Sequence, residues 1–386
     1  MGLDVARCLA LLGMVAAHVL AARTPEGRLT WHAWLVEGRA SALFAVLAGV
    51  SLALMSRHTN AAGLAARAVW VALVGLALGG LDSGLAIILT YYGLLFLLGL
   101  PFLRLRAGAL FASAAGWLLV APVVSQLVRP HLPVRGAASP AFDQLGHPLR
   151  LLTELLVTGY YPCLTWLAYL LLGLAIGRCD LRSRSVQAGL VLGGLAGAVL
   201  AFVVSRSLTA QPWVLDRLLP EAWRYGDAST ADALVSAISG GLHGTTPRDG
   251  SWAWLLVVAP HSGTPFDLLE TGASAALVIG LSLALAGSLG DRATRPLAVV
   301  FGAGTMTLTL YSLHTVMRTP SVWPPEEPGS YGWHVLVLTA VGAGFVAAGR
   351  RGPLESVGRV LSRGVTRVTN GRSGGAATRS RTGPGR

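Results

Sequence analysis

The chain has 386 residues, of which 53% are apolar and 12% charged, and a mean hydropathy of +0.60. That is about half the charge of an ordinary soluble domain, with more apolar surface than one compact core can hide. A soluble enzyme is excluded and an integral membrane protein is expected. The net charge of +12 comes from 30 Arg and no Lys. These Arg flank apolar blocks rather than aromatic-studded strands or helices, which argues for membrane topology and against nucleic acid. Cys8, Cys163 and Cys179 lie in or beside apolar runs without metal-ligand spacing, so neither a disulfide framework nor a metal is expected.

Apolar runs of roughly 17 to 25 residues, with shorter ones accepted where charges frame them, predict an all-α integral membrane bundle of about ten transmembrane helices. The predicted spans are 2–20, 40–55, 68–81, 84–103, 107–128, 162–177, 186–204, 266–289, 297–316 and 332–348. The first lacks a basic n-region and is expected to stay as helix one rather than be cleaved. The abrupt Met1-Gly2 start leaves room for a short basic leader upstream, which mapping the translational start would test. Placing the N-terminus in the cytoplasm puts Arg57, Arg67, Arg104, Arg106, Arg178, Arg182, Arg184, Arg292 and Arg295 on inner loops. Both termini are then cytoplasmic, as the positive-inside rule requires. Residues 1–350 read as one transmembrane domain with long extracytoplasmic segments at 129–161 and 205–265; no internal repeat is visible. The second segment carries Trp213, Trp223, Trp252 and Trp254, which argue for order. Residues 351–386 form a basic cytoplasmic tail able to meet anionic lipid, disordered from about residue 371.

The chemistry concentrates at the start. Arg7 and His18 are eleven residues apart on helix one, so they share a face roughly 16 Å long, and Asp4 can pair with Arg7 one turn away. Ionisable groups within a span are by default functional, though Asp4 and Arg7 also suit an interfacial ion pair and His18 a structural hydrogen bond. Trp31, His32, Glu37 and Arg39 crowd the following turn. Imidazole is the side chain whose ordinary pKa suits a general base near neutrality. His32, beside Trp31 and Trp34, equally fits an interfacial belt, and Arg39 equally fits a snorkelling helix end.

The stretch LDVARCLALLGMVAAH, with Arg, ten residues and His, resembles the opening helix of the membrane-bound acyltransferase type 3 family. The two-helix unit that continues into GRASALFAVLAGVSLAL is similar to the catalytic domain of heparan-α-glucosaminide N-acetyltransferase and its bacterial relatives. The resemblance implies transfer of an acyl group, acetyl expected, from cytoplasmic acyl-CoA to an extracytoplasmic amine or hydroxyl, with an amino-sugar or glycan acceptor. It places the helix-one Asp and Arg on Asp4 and Arg7, at the CoA. It makes His18, by the type 3 pattern, or His32, by the glucosaminide pattern, the catalytic residue. Two departures are visible: Cys8 where a Gly follows the Arg, and Glu37-Gly38-Arg39 where the glucosaminide enzymes carry an Asp.

Later in the chain, PHSGTPFD puts His261 before a span that Thr264 and Pro265 are suited to cap, with Asp267 in its first turn. Similar segments in bacterial relatives imply that His261 and Asp267 sit with Glu37 and Arg39 at the acceptor. His314, in LYSLH, matches the end of a late helix in related enzymes and joins that set, although the surrounding Thr and Ser also fit helix packing. His58, His131, His147, His243 and His334 show no partner pattern and read as loop or helix-end residues. No phosphate loop, HExxH or GxSxG motif occurs. The resulting expectation is an acyl-CoA-dependent O- or N-acyltransferase, multi-pass in the plasma membrane, with the homo-oligomeric state left open. The alternative is a multi-span transporter or exporter of a small or lipid-linked molecule, in which His18 relays protons and Arg7 binds substrate; it lacks the expected matching halves.

Overall fold

In the computed structural model the described residues are 1–136, 139–222, 230–289, 291–324 and 329–379, and every regular element among them is helical. Helices α1 (Gly2–Val19), α2 (Trp31–Val36), α3 (Arg39–Met55), α4 (Ala61–Gly79), α5 (Leu89–Gly99) and α6 (Ala107–Val128) form the first half of the bundle. The second half contains α7 (Pro148–Thr153), α8 (Cys163–Arg178), α9 (Arg184–Thr209), α10 (Pro212–Ala222), α11 (Ala231–Ile238) and α12 (Pro265–Ser288). It continues through α13 (Asp291–Val300), α14 (Thr307–Met317) and α15 (Ser330–Ala347) to α16 (Pro353–Arg379). Among the described residues, seven helices are long and apolar enough to cross a membrane. An eighth crossing results if the pair Pro148–Thr158 and Cys163–Arg178, bent by 58°, is one span.

Lipid is as apolar as leucine, so helix association here rests on close packing and hydrogen bonds rather than on expulsion of water. α3 packs on α8 through fully buried Leu47, Leu52, Leu170, Leu171 and Leu174. α1 lies against α3, α12 and a 3-10 turn at Gly302–Thr305. α9 rests on α12, and α16 covers α4.

Three expected spans differ from the structure. For 84–103, residues 82–88 run irregularly, with Ile87 and Ile88 buried, and the helix begins only at Leu89 and ends in a 3-10 turn containing Pro101. The span 162–177 is preceded by α7 and a π-helical turn at Glu154–Thr158, so the segment expected as an outer loop is partly helical. The span 297–316 is broken: α13 stops, Gly302–Thr305 forms a 3-10 turn, and α14 restarts at Thr307. The reason is local. Gly304 lies directly on the backbone of Asp4, where a Cβ would collide with the Asp4 carbonyl, so a bare backbone wedge replaces a continuous helix.

The described residues after α9 include two short helices and a 3-10 turn. α10, α11 and a 3-10 turn at Trp252–Leu256 enclose Trp254, whose Nε1 donates to Glu221 at 2.6 Å. Trp213 and Trp252 are half exposed, and Trp223 lies outside the described residues. Of the stretch expected to be disordered from about residue 371, residues 371–379 continue the backbone of α16, while their side chains and residues 380–386 lie outside the described set.

Candidate active site

α1 presents two chemically different ends. At its first turns, Arg7 Nη1 donates to Asp4 Oδ1 at 2.7 Å and Nη2 to Ser51 Oγ on α3 at 2.9 Å. This is the ion pair that the three-residue spacing predicts, extended to a second helix. Arg7 and Arg67 of α4 face a cavity of about 140 Å³ whose walls are otherwise mostly apolar. Met14 lines this cavity and also a second one, of about 450 Å³, at the other end of α1. The two ends are therefore linked along a single helix face.

His18 opens into the larger cavity. Its Nδ1 lies 3.0 Å from Nε2 of His314 on α14, with the two rings stacked at 5.2 Å between centroids. Nδ1 of His314 lies 3.0 Å from Nδ1 of His334 on α15. Three helices thus contribute one row of hydrogen-bonded imidazoles, buried at His314 and His334. The break in the ninth span sets the start of α14 and therefore the height at which His314 meets His18.

The remaining wall comes from loops. Gly38, at φ 70°, turns the chain between α2 and α3; a Cβ there would press on Pro260 at 3.0 Å, so the turn seats itself under the Pro260-His261 corner. Glu37 is thereby placed in the cavity wall. His261 and His243 also line it, and both hold positive φ, 55° and 54°, which is costly for a side chain with a Cβ and concentrates at functional sites. His261 stacks on Trp166 and meets Tyr160 and Tyr161 edge-on, while its Nδ1 is buried without a hydrogen-bond partner. Burial, with a contribution from His243, pushes its imidazole down to about 4, so it is neutral at physiological pH. His243 Nδ1 sits 2.7 Å from Tyr160 Oη; burial, with Arg135 nearby, lowers its pKa as well. Arg135 and Arg318 add positive charge to the wall.

Several expected site residues are elsewhere. His32 is outside the cavity: its Nε2 lies 3.0 Å from both Thr30 Oγ1 and the Ala21 carbonyl, closing the turn after α1, and Trp31 packs on it edge-on. Arg39 pairs with Glu270 at 2.9 Å and stacks over Trp34, tying α3 to α12. Asp267 accepts the Gly263 amide at 2.9 Å while Thr264 caps α12, so its carboxylate holds the corner carrying His261. Conversely, His334 and His243, read from sequence as unpartnered, belong to the site. The rule that ionisable groups in spans are functional applied to His334 as it did to His18. Among the described residues no group of three or more His, Cys, Asp or Glu is placed to hold a metal ion.

Residues 1–210 match the family model for the catalytic region of heparan-alpha-glucosaminide N-acetyltransferase. The chain belongs to this family. Membership makes it a multi-helix membrane protein of an acetyltransferase family. A comparison with curated proteins finds no match. The matched stretch runs from α1 to the end of α9 and holds Asp4, Arg7, His18, His32, Glu37 and Arg39. His243, His261, His314 and His334 come from the part beyond it: the first two line the same cavity, His314 meets His18, and His334 meets His314.

Proposed function

We propose that this family member transfers an acetyl group from acetyl-CoA, admitted at the Arg7 end of α1 from the cytoplasm, to a sugar amine or hydroxyl held in the His18 cavity. About ten crossings, with α5 and the broken α13–α14 pair among them, and cytoplasmic termini are the topology that fits the arginine distribution. The observation that carries the reading is the placement of His18 in a cavity that shares the lining residue Met14 with the Arg7 cavity. Arg7, held by Asp4 and Ser51, and Arg67 offer guanidinium groups suited to CoA phosphates.

At the other end the acceptor amine or hydroxyl attacks the thioester carbon, and its proton passes to His18 Nε2. The carbon–sulfur bond then breaks, and the departing CoA thiolate regains a proton. Arg318 brings positive charge to the cavity where the thioester oxygen becomes negative, the usual place for the largest electrostatic gain. Glu37 and the Tyr160–His243 pair supply acceptor contacts. His18 rather than His32 is assigned the base, because His18 reaches the cavity and His32 does not. Purified protein given radiolabelled acetyl-CoA and a panel of amino sugars is expected to move label onto a sugar. If it neither binds acetyl-CoA nor moves label, the enzyme reading is lost.

A further inference from the structure

The row His18–His314–His334 has a property that none of its members has alone. Both nitrogens of His314 are engaged, Nε2 with His18 Nδ1 and Nδ1 with His334 Nδ1, each at 3.0 Å. A neutral imidazole carries one N–H, so each contact needs one donor and one acceptor, and the choice made at one contact dictates the other. If His18 carries its hydrogen on Nδ1, it donates to His314 Nε2. His314 must then carry its hydrogen on Nδ1 and donate to His334 Nδ1. That polarity leaves His18 Nε2, which makes no protein hydrogen bond among the described residues, as a bare lone pair. The opposite polarity puts a hydrogen on His18 Nε2 and removes the base.

We propose that His334 is a positioning residue. By accepting from His314 it selects the row's polarity, and through His314 it holds the tautomer of His18 whose Nε2 can take a proton. This rests on the reading of His18 as the base. When His18 Nε2 takes the acceptor's proton, His18 becomes an imidazolium whose Nδ1 hydrogen is still donated to His314 Nε2. The row then carries one extra proton, on His18, until that proton passes from His18 Nε2 to the departing thiolate. A lone His on α15 packed for structural reasons would impose no such order.

The test uses full-length protein with ¹⁵N-labelled histidine, comparing wild type, His334→Leu and His334→Asn, with His18 signals assigned by loss in His18→Gln. The expected wild-type signature is His18 protonated at Nδ1 and bare at Nε2. His334→Leu is expected to lose that preference and about 10²-fold in kcat, with KM for acetyl-CoA within about twofold. His334→Asn, whose side-chain oxygen can accept in place of Nδ1, is expected to restore the signature and most of the rate. A wild-type His18 protonated at Nε2, or a tautomer unmoved in His334→Leu, overturns the proposal. Thermal unfolding of both variants separates misfolding from this effect, and the Asn variant carries the test if Leu is not tolerated. Absence of transfer by wild type would sink the enzyme reading alone, since the tautomer measurement decides separately whether the three rings act as a unit.

Discussion

The two ends of α1 solve opposite problems with the same helix. At the Arg7 end the guanidinium is held by Asp4 and Ser51, and the adjoining cavity is small and largely apolar. At the His18 end the cavity is three times larger, and its ionisable groups include a row of imidazoles and a histidine with a buried, unpartnered nitrogen. Fixed charge suits recognition of an anion, whereas neutral imidazoles suit proton transfer. Under the proposed function, the difference means that one helix divides donor recognition from chemistry by depth alone.

Breaking the proton-handling end should have the largest effect. His18→Ala is expected to lower kcat by about 10² to 10⁴-fold, the usual worth of a general base, while leaving acetyl-CoA binding unchanged by calorimetry. The scaffold that joins the ends should be next. Arg39→Leu leaves Glu270 buried without its cation and is expected to cost about 3 kcal/mol, read as a fall in unfolding temperature in detergent; replacing both partners with Leu should recover most of it. A comparable dependence is expected on pH. His261 titrates near 4 in the fold against about 6.5 unfolded, so between these values the unfolded chain binds the extra proton. Its contribution is whole above about pH 6.5, declines as pH falls and is gone below about 4, on the order of 3 kcal/mol in all; His261→Phe should flatten that part of the stability profile.

The fixed-charge end should respond more mildly and in a different parameter. Arg7→Gln removes a charge-assisted contact and is expected to raise KM for acetyl-CoA about 10- to 100-fold, with kcat at saturating donor largely kept. His32→Ala should be the smallest, within about twofold in both parameters, because the ring lies outside the cavity. A large loss of kcat in His32→Ala would move the chemistry into the turn after α1 and dissolve the contrast.

Much of this arrangement is legible in the chain because apolar length and flanking arginine are local signals. The first two spans, the cap of α12 by Thr264 and Pro265, and the Asp4–Arg7 pair all follow from spacings of a few residues. What the sequence hides is pairing at a distance. Arg39 meets Glu270 across 231 residues and His18 meets His314 across 296, so neither partnership leaves a periodic trace. His334 looks isolated because its partner sits on another helix. The break at Gly302–Thr305 is hidden for a related reason: GAGT reads as a tolerable run of small residues until the Asp4 backbone is seen resting on it.

The central claim, that donor and acceptor meet from opposite ends of α1, is best tested in sealed vesicles with the protein in one orientation. Labelled acetyl-CoA is supplied only on the face bearing Arg7, and the amino sugar only on the face bearing His18. The account predicts labelled sugar on the His18 face while acetyl-CoA stays on its own side. Transfer that occurs only when both substrates share one face would contradict it.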